Sequence, residues 1–135
     1  MPAMTLVDTN VLLDLFTNHL EWADWSIRQL EAASLKGPLA IDDVVYAELS
    51  VRFDAIETLD AALMETGVSI EPMPRAALFL AGKAFQRYRA RGGAKSGVPP
   101  DFFIGAHAAV TGWPLLTRDA RRYRTAFSRV ELVAP

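Results

Sequence analysis

The stretch Thr5-Leu6-Val7-Asp8-Thr9-Asn10-Val11-Leu12 joins a short apolar run to a helical pattern through an acidic residue. Residues 5–7 are β-branched or aliphatic, as in a buried strand, and the apolar residues from 11 to 16 recur at helical spacing. Asp8 stands at the junction, where its carboxylate can accept a hydrogen bond from a free backbone N–H. The stretch therefore predicts a strand, then a turn with an acidic side chain, then a helix.

The same alternation continues to the end of the chain. Further strands are predicted at residues 39–41, 68–70, 115–117 and 131–133, and helices fill the segments between them, with a last short helix from Asp119. Short apolar strands that alternate with helices predict an α/β fold whose mainly parallel sheet is covered on both faces. In such sheets the functional crevice lies beyond the carboxyl ends of the strands. Asp8 and Asp119 are therefore expected at the same edge.

Glu48 is the acidic residue that is hardest to explain by local structure. In the helix predicted from Asp43 it shares a stripe with apolar Val45 and Leu49. A bare carboxylate on an apolar face is costly, so Glu48 requires a cation. Arg52 at i+4 could supply that charge, and so could a metal ion. From this helix alone the two explanations remain open.

Three more carboxylates, those of Asp8, Asp101 and Asp119, stand at predicted helix starts, where capping would explain each one singly. Asp42 and Asp43 are interpreted as caps only. Two carboxylates ~4 Å apart would repel by about 4 kcal/mol at an effective dielectric constant of 20, and a divalent ion would relieve that repulsion. Oxygen ligands suit Mg²⁺, with Mn²⁺ as its substitute. The chain has no cysteine and only two histidines, which argues against zinc.

Bulk composition limits the class of protein. With 135 residues, 51 % of them hydrophobic, and a mean hydropathy of +0.15, residues 1–135 are expected to form one packed domain. Without cysteine, disulfides and thiol nucleophiles are excluded. The start of the chain, from Met1 to Thr5, carries no basic leader, and no apolar stretch approaches the ~18 residues of a membrane span. A cytoplasmic protein with no membrane contact is expected.

Charge is distributed unevenly along the chain. Residues 1–74 carry thirteen acidic and three basic side chains, whereas residues 75–135 carry eleven basic and three acidic ones. A basic half favours a polyanionic partner such as RNA, although an acidic face paired with a basic one in a dimer would leave the same pattern. An ordinary solvated helix face would also explain the basic residues. The candidate RNA-binding residues are Lys83, Arg87, Arg91, Lys95, Arg118 and Arg121.

Four segments in this order carry a more specific signal. They are residues 6–12 quoted above, Tyr46-Ala47-Glu48-Leu49, Pro100-Asp101-Phe102-Phe103-Ile104-Gly105-Ala106-His107-Ala108, and Leu116-Thr117-Arg118-Asp119. Together they resemble the motifs of PIN-domain nucleases, and above all the VapC ribonuclease toxins of type II toxin–antitoxin modules. The resemblance extends from Thr5 to Val133. It implies a three-layer α/β/α fold, endoribonuclease activity that depends on Mg²⁺ or Mn²⁺, a homodimer, and inhibition by a small VapB-like antitoxin.

The resemblance also implies roles for individual residues. Four acidic residues would form the catalytic quartet: Asp8, Glu48, Asp101 and Asp119. Asp8 and Asp101 are the expected direct metal ligands, and the other two would bind a second ion or orient the attacking water. The hydrogen-bonding neighbours of the quartet would be Thr9, Asn10 and Thr117.

Two other classes of protein were weighed against this interpretation. A phosphoacceptor receiver domain fits poorly, because Asp42-Asp43 opens a helix and the third strand ends in Glu71-Pro72. A non-catalytic RNA-binding or scaffolding module would use the basic second half but would leave Glu48 unexplained. His107, inside an alanine-rich helix, is interpreted as a packed, hydrogen-bonded histidine rather than a catalytic one.

Overall fold

The computed structural model describes residues 4–135, and its centre is a five-stranded sheet. Every strand pairing is parallel and the strand order is 3-2-1-4-5, which confirms the predicted α/β class with its parallel sheet. Residues 1–3, where a leader would begin, lie outside the described part of the chain. The strands are β1 (Thr5–Val7), β2 (Leu39–Ile41), β3 (Val68–Ile70), β4 (Leu115–Leu116) and β5 (Leu132–Val133).

Helices occupy the segments between the strands, as predicted. They are α1 (Thr9–Phe16), α2 (Ala23–Lys36), α3 (Asp43–Ser50), α4 (Ile56–Thr66), α5 (Arg75–Ala90), α6 (Pro100–Thr111) and α7 (Arg121–Arg124). Gly67 and Gly112 end α4 and α6 in the left-handed conformation, each with φ +76°, which glycine adopts without steric cost. The last helix begins at Arg121 rather than at the predicted Asp119, because the first carbonyl that accepts hydrogen bonds from this helix is that of Ala120, from the N–H groups of Tyr123 and Arg124.

Helices cover both faces of the sheet. All three residues of β1 and all three of β2 are buried, although successive side chains of a strand point to opposite faces. This burial pattern gives the three-layer α/β/α arrangement that the resemblance implied. Within residues 4–135, no helix combines the length and the apolar composition that crossing a bilayer would need.

The strand order places the switch point of the sheet between β1 and β4. The chain adds β2 and then β3 on one side of β1, and afterwards returns to build β4 and β5 on the other side. Asp8 N–H donates to the Leu116 carbonyl oxygen at 2.9 Å, so the carboxyl ends of β1 and β4 lie side by side. Crevices that bind ligands in open α/β sheets form at such points. Asp8 and Thr117, which directly follow β1 and β4, therefore lie at the same edge of the sheet.

Asp42 fastens α3 to α6. One of its oxygens accepts hydrogen bonds from the N–H groups of Val44 and Val45, at 3.1 and 3.0 Å, which confirms the predicted cap. Its other oxygen lies 3.0 Å from Nδ1 of His107, and both side chains are buried, so His107 is the packed, hydrogen-bonded residue expected. Asp43 is not the cap; it is the first residue of α3, and it accepts from the Met73 N–H at 3.4 Å.

Candidate active site

Asp8 is buried at the end of β1 and surrounded by hydrogen-bond donors. Its Oδ1 accepts from the Thr9 N–H at 2.8 Å. Its Oδ2 accepts from the hydroxyls of Thr117 and Tyr123, each at 2.8 Å, and from the Asn10 amide at 3.4 Å. The predicted capping contact exists on Oδ1, but Oδ2 accepts from three side chains, two of which, Thr117 and Tyr123, come from the far end of the chain. Capping therefore explains only part of the environment of Asp8.

Glu48 projects from α3 toward the same edge. Its Oε1 accepts a 2.5 Å hydrogen bond from the Thr9 hydroxyl, so the residue next to Asp8 positions it. The alternative of an i,i+4 pair with Arg52 is wrong, because α3 ends at Ser50 and Arg52 lies in the following turn. Within residues 4–135, Glu48 forms no ion pair with Arg52.

Asp101 and Asp119 approach from two other elements. Asp101 is the second residue of α6, which has Pro99 at its N-cap and no side-chain capping bond there, so the capping interpretation does not hold for it. Asp119 lies between β4 and α7, and its Oδ2 is 3.0 Å from Nε of Arg122. Its backbone N–H bonds to the Thr117 hydroxyl at 3.0 Å, which ties the loop to the group that also contacts Asp8.

The pKa shifts of Asp8 and Glu48 show how burial and neighbouring charges act at this edge of the sheet. Burial raises the pKa of the Asp8 carboxyl, although its hydrogen bonds from Thr117, Tyr123 and Thr9 oppose the shift. Burial also raises the pKa of Glu48; the Thr9 hydrogen bond lowers it, and the negative charges of Asp8 and Asp101 raise it further. Burial is the main cause of both shifts, and at Glu48 the neighbouring negative charges add to it.

A cleft of about 720 Å³ opens over this region. Glu48, Asp101 and Arg122 line it, together with Arg91 and Lys95 from the segment that follows α5. The cleft is therefore lined by both acidic and basic side chains. Such a surface suits a phosphodiester chain held close to a cation.

Of the six candidate RNA-binding residues, the structure brings only two to the cleft. Arg91 and Lys95 line it, whereas Lys83 lies over the Phe79 ring at 5.3 Å, and Arg87 and Arg121 are exposed elsewhere. Whether any of them binds RNA remains a prediction.

Arg118 is held against α1. Its guanidinium makes two hydrogen bonds to the carboxylate of buried Asp14, at 2.8 and 2.9 Å, and lies 5.3 Å from the Trp22 ring centroid. Its backbone N–H donates to Asn10 Oδ1 at 3.1 Å. These contacts fasten the loop that carries Thr117 and Asp119 to the helix that follows Asp8.

Sequence reasoning left out Asp14 and Tyr123, and it treated Arg122 like Arg121 and Arg124, as a residue that either approaches RNA near Asp119 or only solvates a short terminal helix. An acidic residue inside the apolar run of α1 carries the signal that singled out Glu48, so Asp14 could have been found in the same way. Tyr123 is the one large aromatic residue in the basic segment 121–124, a pattern that indicates a buried side chain on a solvated helix. No sequence signal separates Arg122 from its arginine neighbours.

The donors present suit a hard divalent ion. Carboxylate oxygens are the ligands that Mg²⁺ and Mn²⁺ favour, and Glu48, which lines the cleft with Asp101, is close enough to Asp8 and Asp101 for their charges to raise its pKa. Among residues 4–135, no three acidic or histidine side chains are already arranged around an ion position. Mg²⁺ usually keeps several waters and uses only one or two carboxylates, so the described arrangement fits such an ion.

A parallel sheet with acidic side chains at its switch point defines an α/β domain with a site for a ligand at that edge. The family model of the PIN domain matches residues 5–128. The chain therefore belongs to the PIN domain family, whose members are generally nucleases. No curated protein matches the chain in sequence.

Solved structures of similar fold come from toxin–antitoxin complexes. A chain of VapBC2 from Rickettsia felis, bound to a promoter DNA fragment, has a TM-score of 0.74 at 18 % identity, covering 97 % of this chain and 98 % of that one. A chain of DNA-bound VapBC from Salmonella typhimurium has a TM-score of 0.72 at 15 % identity, covering 98 % of both. VapBC-1 from nontypeable Haemophilus influenzae gives 0.71 at 17 % identity and 97 % of both. At these identities the likeness establishes the fold.

Proposed function

We propose that this chain is a metal-dependent endoribonuclease and the toxin of a toxin–antitoxin pair, restrained by a cognate VapB-like antitoxin. One observation supports the catalytic part above all: buried Asp8 interacts with Glu48, which lines the same cleft as Asp101. Carboxylates brought together from β1, α3 and α6 serve no shared capping or ion-pairing purpose. Family membership and the toxin–antitoxin complexes of similar fold support the biological role.

In this proposal Asp8 and Asp101 hold Mg²⁺ or Mn²⁺, and Glu48 and Asp119 bind a second ion or orient the attacking water. The bound ion would lower the pKa of a water and offset the charge that develops on the phosphoryl oxygens. The Thr9 hydroxyl holds Glu48, while Thr117 and Tyr123 hold Asp8 Oδ2, so that its other oxygen keeps its orientation. Arg91 and Lys95, which line the same cleft as Glu48 and Asp101, would bind the RNA backbone.

The first test is cleavage of a circular RNA by the purified chain in Mn²⁺, Mg²⁺ or EDTA. Circular substrate separates endonuclease from exonuclease activity, since only an endonuclease can open a ring. We expect cleavage in either metal, none in EDTA, and products with 5′-phosphate and 3′-hydroxyl ends, because hydrolysis by an activated water does not use the ribose 2′-OH. Cyclic 2′,3′-phosphate ends would contradict the mechanism.

Two variants make this test specific. Asp8→Asn should fold and lose cleavage, whereas Asp60→Asn, which changes a surface carboxylate bonded to Tyr46, should cleave like the wild type. If neither the wild type nor Asp60→Asn cuts any RNA or binds Mn²⁺, a second function is favoured instead, that of a non-catalytic RNA-binding or scaffolding module. The basic residues of the cleft, Arg91 and Lys95, favour that candidate.

The toxin role needs its own experiment. Expression in a bacterial cytoplasm should arrest growth with the wild-type chain and not with Asp8→Asn, and co-expression of a cognate VapB-like antitoxin should restore growth. We also propose a homodimer, which analytical ultracentrifugation would report as about twice 14.8 kDa. If a soluble and active nuclease left growth unaffected, the toxin role would be refuted while the nuclease activity would stand.

A further inference from the structure

Arg122 is the one arginine of α7 that lines the cleft in the described part of the chain. Its Nε lies 3.0 Å from Asp119 Oδ2, and its side chain is 51 % exposed, so it is within reach of both the acidic residues and solvent. Arg121 and Arg124, on the same short helix, are exposed and do not line the cleft. The position of Arg122 therefore differs from that of its neighbours in a way that charge composition does not show.

The charge of Arg122 acts on the whole acidic group. It lowers the pKa of both Asp8 and Glu48, in the opposite direction to burial. Burial alone would lower the pKa of Arg122, yet the carboxylates of Asp101, Asp119 and Asp8 raise it overall. One guanidinium thus partly compensates the four carboxylates that the proposed function places in the catalytic site.

We propose that Arg122 is a built-in counter-cation that competes with the divalent ion for this acidic cluster. A guanidinium beside Asp119 offsets carboxylate repulsion while no ion is bound, and it repels an ion that enters the cleft. The ion pair between Arg122 and Asp119 is a single contact exposed to solvent, so breaking it costs little free energy. This inference rests on the proposed function, because it needs a divalent ion at these carboxylates.

The test is Mn²⁺ binding, measured by titration calorimetry and by electron paramagnetic resonance of free Mn²⁺, without RNA. Arg122→Gln should bind Mn²⁺ about tenfold more tightly than the wild type, since removing a nearby positive charge removes its repulsion of a doubly charged ion. Arg122→Lys keeps the charge and should remain near the wild-type affinity. Arg124→Gln removes an equal charge outside the cleft and should change the affinity less than twofold.

The outcomes separate this inference from the proposed function. If the wild type binds Mn²⁺ and cleaves RNA but Arg122→Gln binds Mn²⁺ no more tightly than Arg124→Gln, the counter-cation inference is wrong and the nuclease proposal stands. If the wild type and Arg122→Gln both fail to bind Mn²⁺, the nuclease proposal and this inference fail together. Tighter binding by Arg122→Gln alone, with the lysine variant unchanged, supports the inference.

Discussion

The Tyr123 hydroxyl donates a 2.8 Å hydrogen bond to Oδ2 of Asp8, between side chains that are 0 % and 2 % exposed. Burial and the adjacent Asp8 charge raise the pKa of the Tyr123 hydroxyl, so it stays protonated and remains a donor at neutral pH. The bond joins α7 to the end of β1 across 115 residues of sequence. A short basic helix near the C-terminus thus helps to orient the most buried carboxylate of the site.

Tyr123→Phe removes this donor and keeps the ring. We expect the free energy of unfolding to fall by about 1–3 kcal/mol, as for a hydrogen bond to a charged group. Cleavage should slow by about tenfold or more, because small displacements of a catalytic group are costly. Chemical denaturation and single-turnover cleavage would measure both. Tyr46→Phe is the matched control, since it removes a 2.7 Å tyrosine–aspartate bond near the surface, and should change neither quantity appreciably.

Arg118→Gln should destabilise the fold rather than merely weaken RNA binding. The residue makes a bidentate pair with Asp14, which is 1 % exposed and also accepts from the Ser26 hydroxyl at 2.8 Å. Breaking a buried pair costs about 3–5 kcal/mol. Because Arg118 itself is 28 % exposed, we expect about 2–3 kcal/mol here.

A double-mutant cycle with Asp14→Asn measures that coupling in urea unfolding. Arg122→Gln is the comparison variant: it breaks an exposed pair and should cost less than about 1 kcal/mol. If Arg118→Gln were as stable as Arg122→Gln, the contact with Asp14 would contribute nothing to holding the loop.

Gly105→Ala should destabilise α6 against the C-terminal segment. A Cβ at residue 105 would lie 2.4 Å from Cδ2 of the buried Phe127 ring. Forcing the ring aside is an overpacking change, for which about 1–3 kcal/mol is usual. Gly82→Ala, in α5 with open space around its Cβ, should instead stabilise the protein by about 0.5–1 kcal/mol. Thermal denaturation of the two variants would show shifts of opposite sign.

Arg91→Gln and Lys95→Gln should weaken RNA binding because both residues line the cleft. We expect about three- to tenfold weaker binding for each, with a shallower dependence on salt, because one phosphate contact is lost. Fluorescence anisotropy in the Asp8→Asn background would measure binding without cleavage. Lys83→Gln changes an equal charge outside the cleft and should have a smaller effect. Equal losses at all three positions would indicate diffuse attraction rather than binding in the cleft.

The stability of the metal-free protein should fall as pH rises above the ordinary aspartate value of 3.8. The pKa of Asp8 is raised in the folded state, so the native protein binds its proton more tightly than the unfolded chain does. Between the unfolded and folded pKa values the unfolded state loses the proton first, and the free energy of unfolding decreases with pH. Urea unfolding in EDTA should show this slope. In the Asp8→Asn variant the free energy of unfolding should decrease less steeply with pH. If the slope is the same as in the wild type, a group other than Asp8 is responsible for it.

The sequence predicted most of the fold because its signals are local. Apolar strands at 5–7, 39–41 and 68–70, and the glycines that end α4 and α6, follow from spacing and backbone preference alone. The predicted start of α7 was wrong by two residues, because the first carbonyl that accepts a helical hydrogen bond is that of Ala120. Asp119 lies in the loop before the helix, where its N–H bonds to the Thr117 hydroxyl that also contacts Asp8.

For the site, the sequence indicated which carboxylates were unexplained but not what surrounds them. Glu48 stood out because a charge on an apolar stripe needs a partner. Its actual hydrogen-bond donor, the Thr9 hydroxyl, is 39 residues away in sequence, and the local candidate Arg52 is not on the helix at all. Local spacing predicts neighbours within a helix and cannot predict contacts between distant elements such as α1 and α3.

The sequence alone determined the order and type of the elements and the acidic residues at their junctions. These features follow from periodicity and backbone preference, which act over a few residues. The tertiary structure alone decided which arginine pairs with a buried carboxylate and which one lines the cleft. Arg118 and Arg122 have the same side chain, four residues apart, yet one is fastened to buried Asp14 while the other lines the cleft beside Asp119. Their different surroundings arise where β4 joins the sheet beside β1, since long-range packing fixes which charges become desolvated and which remain exposed to solvent.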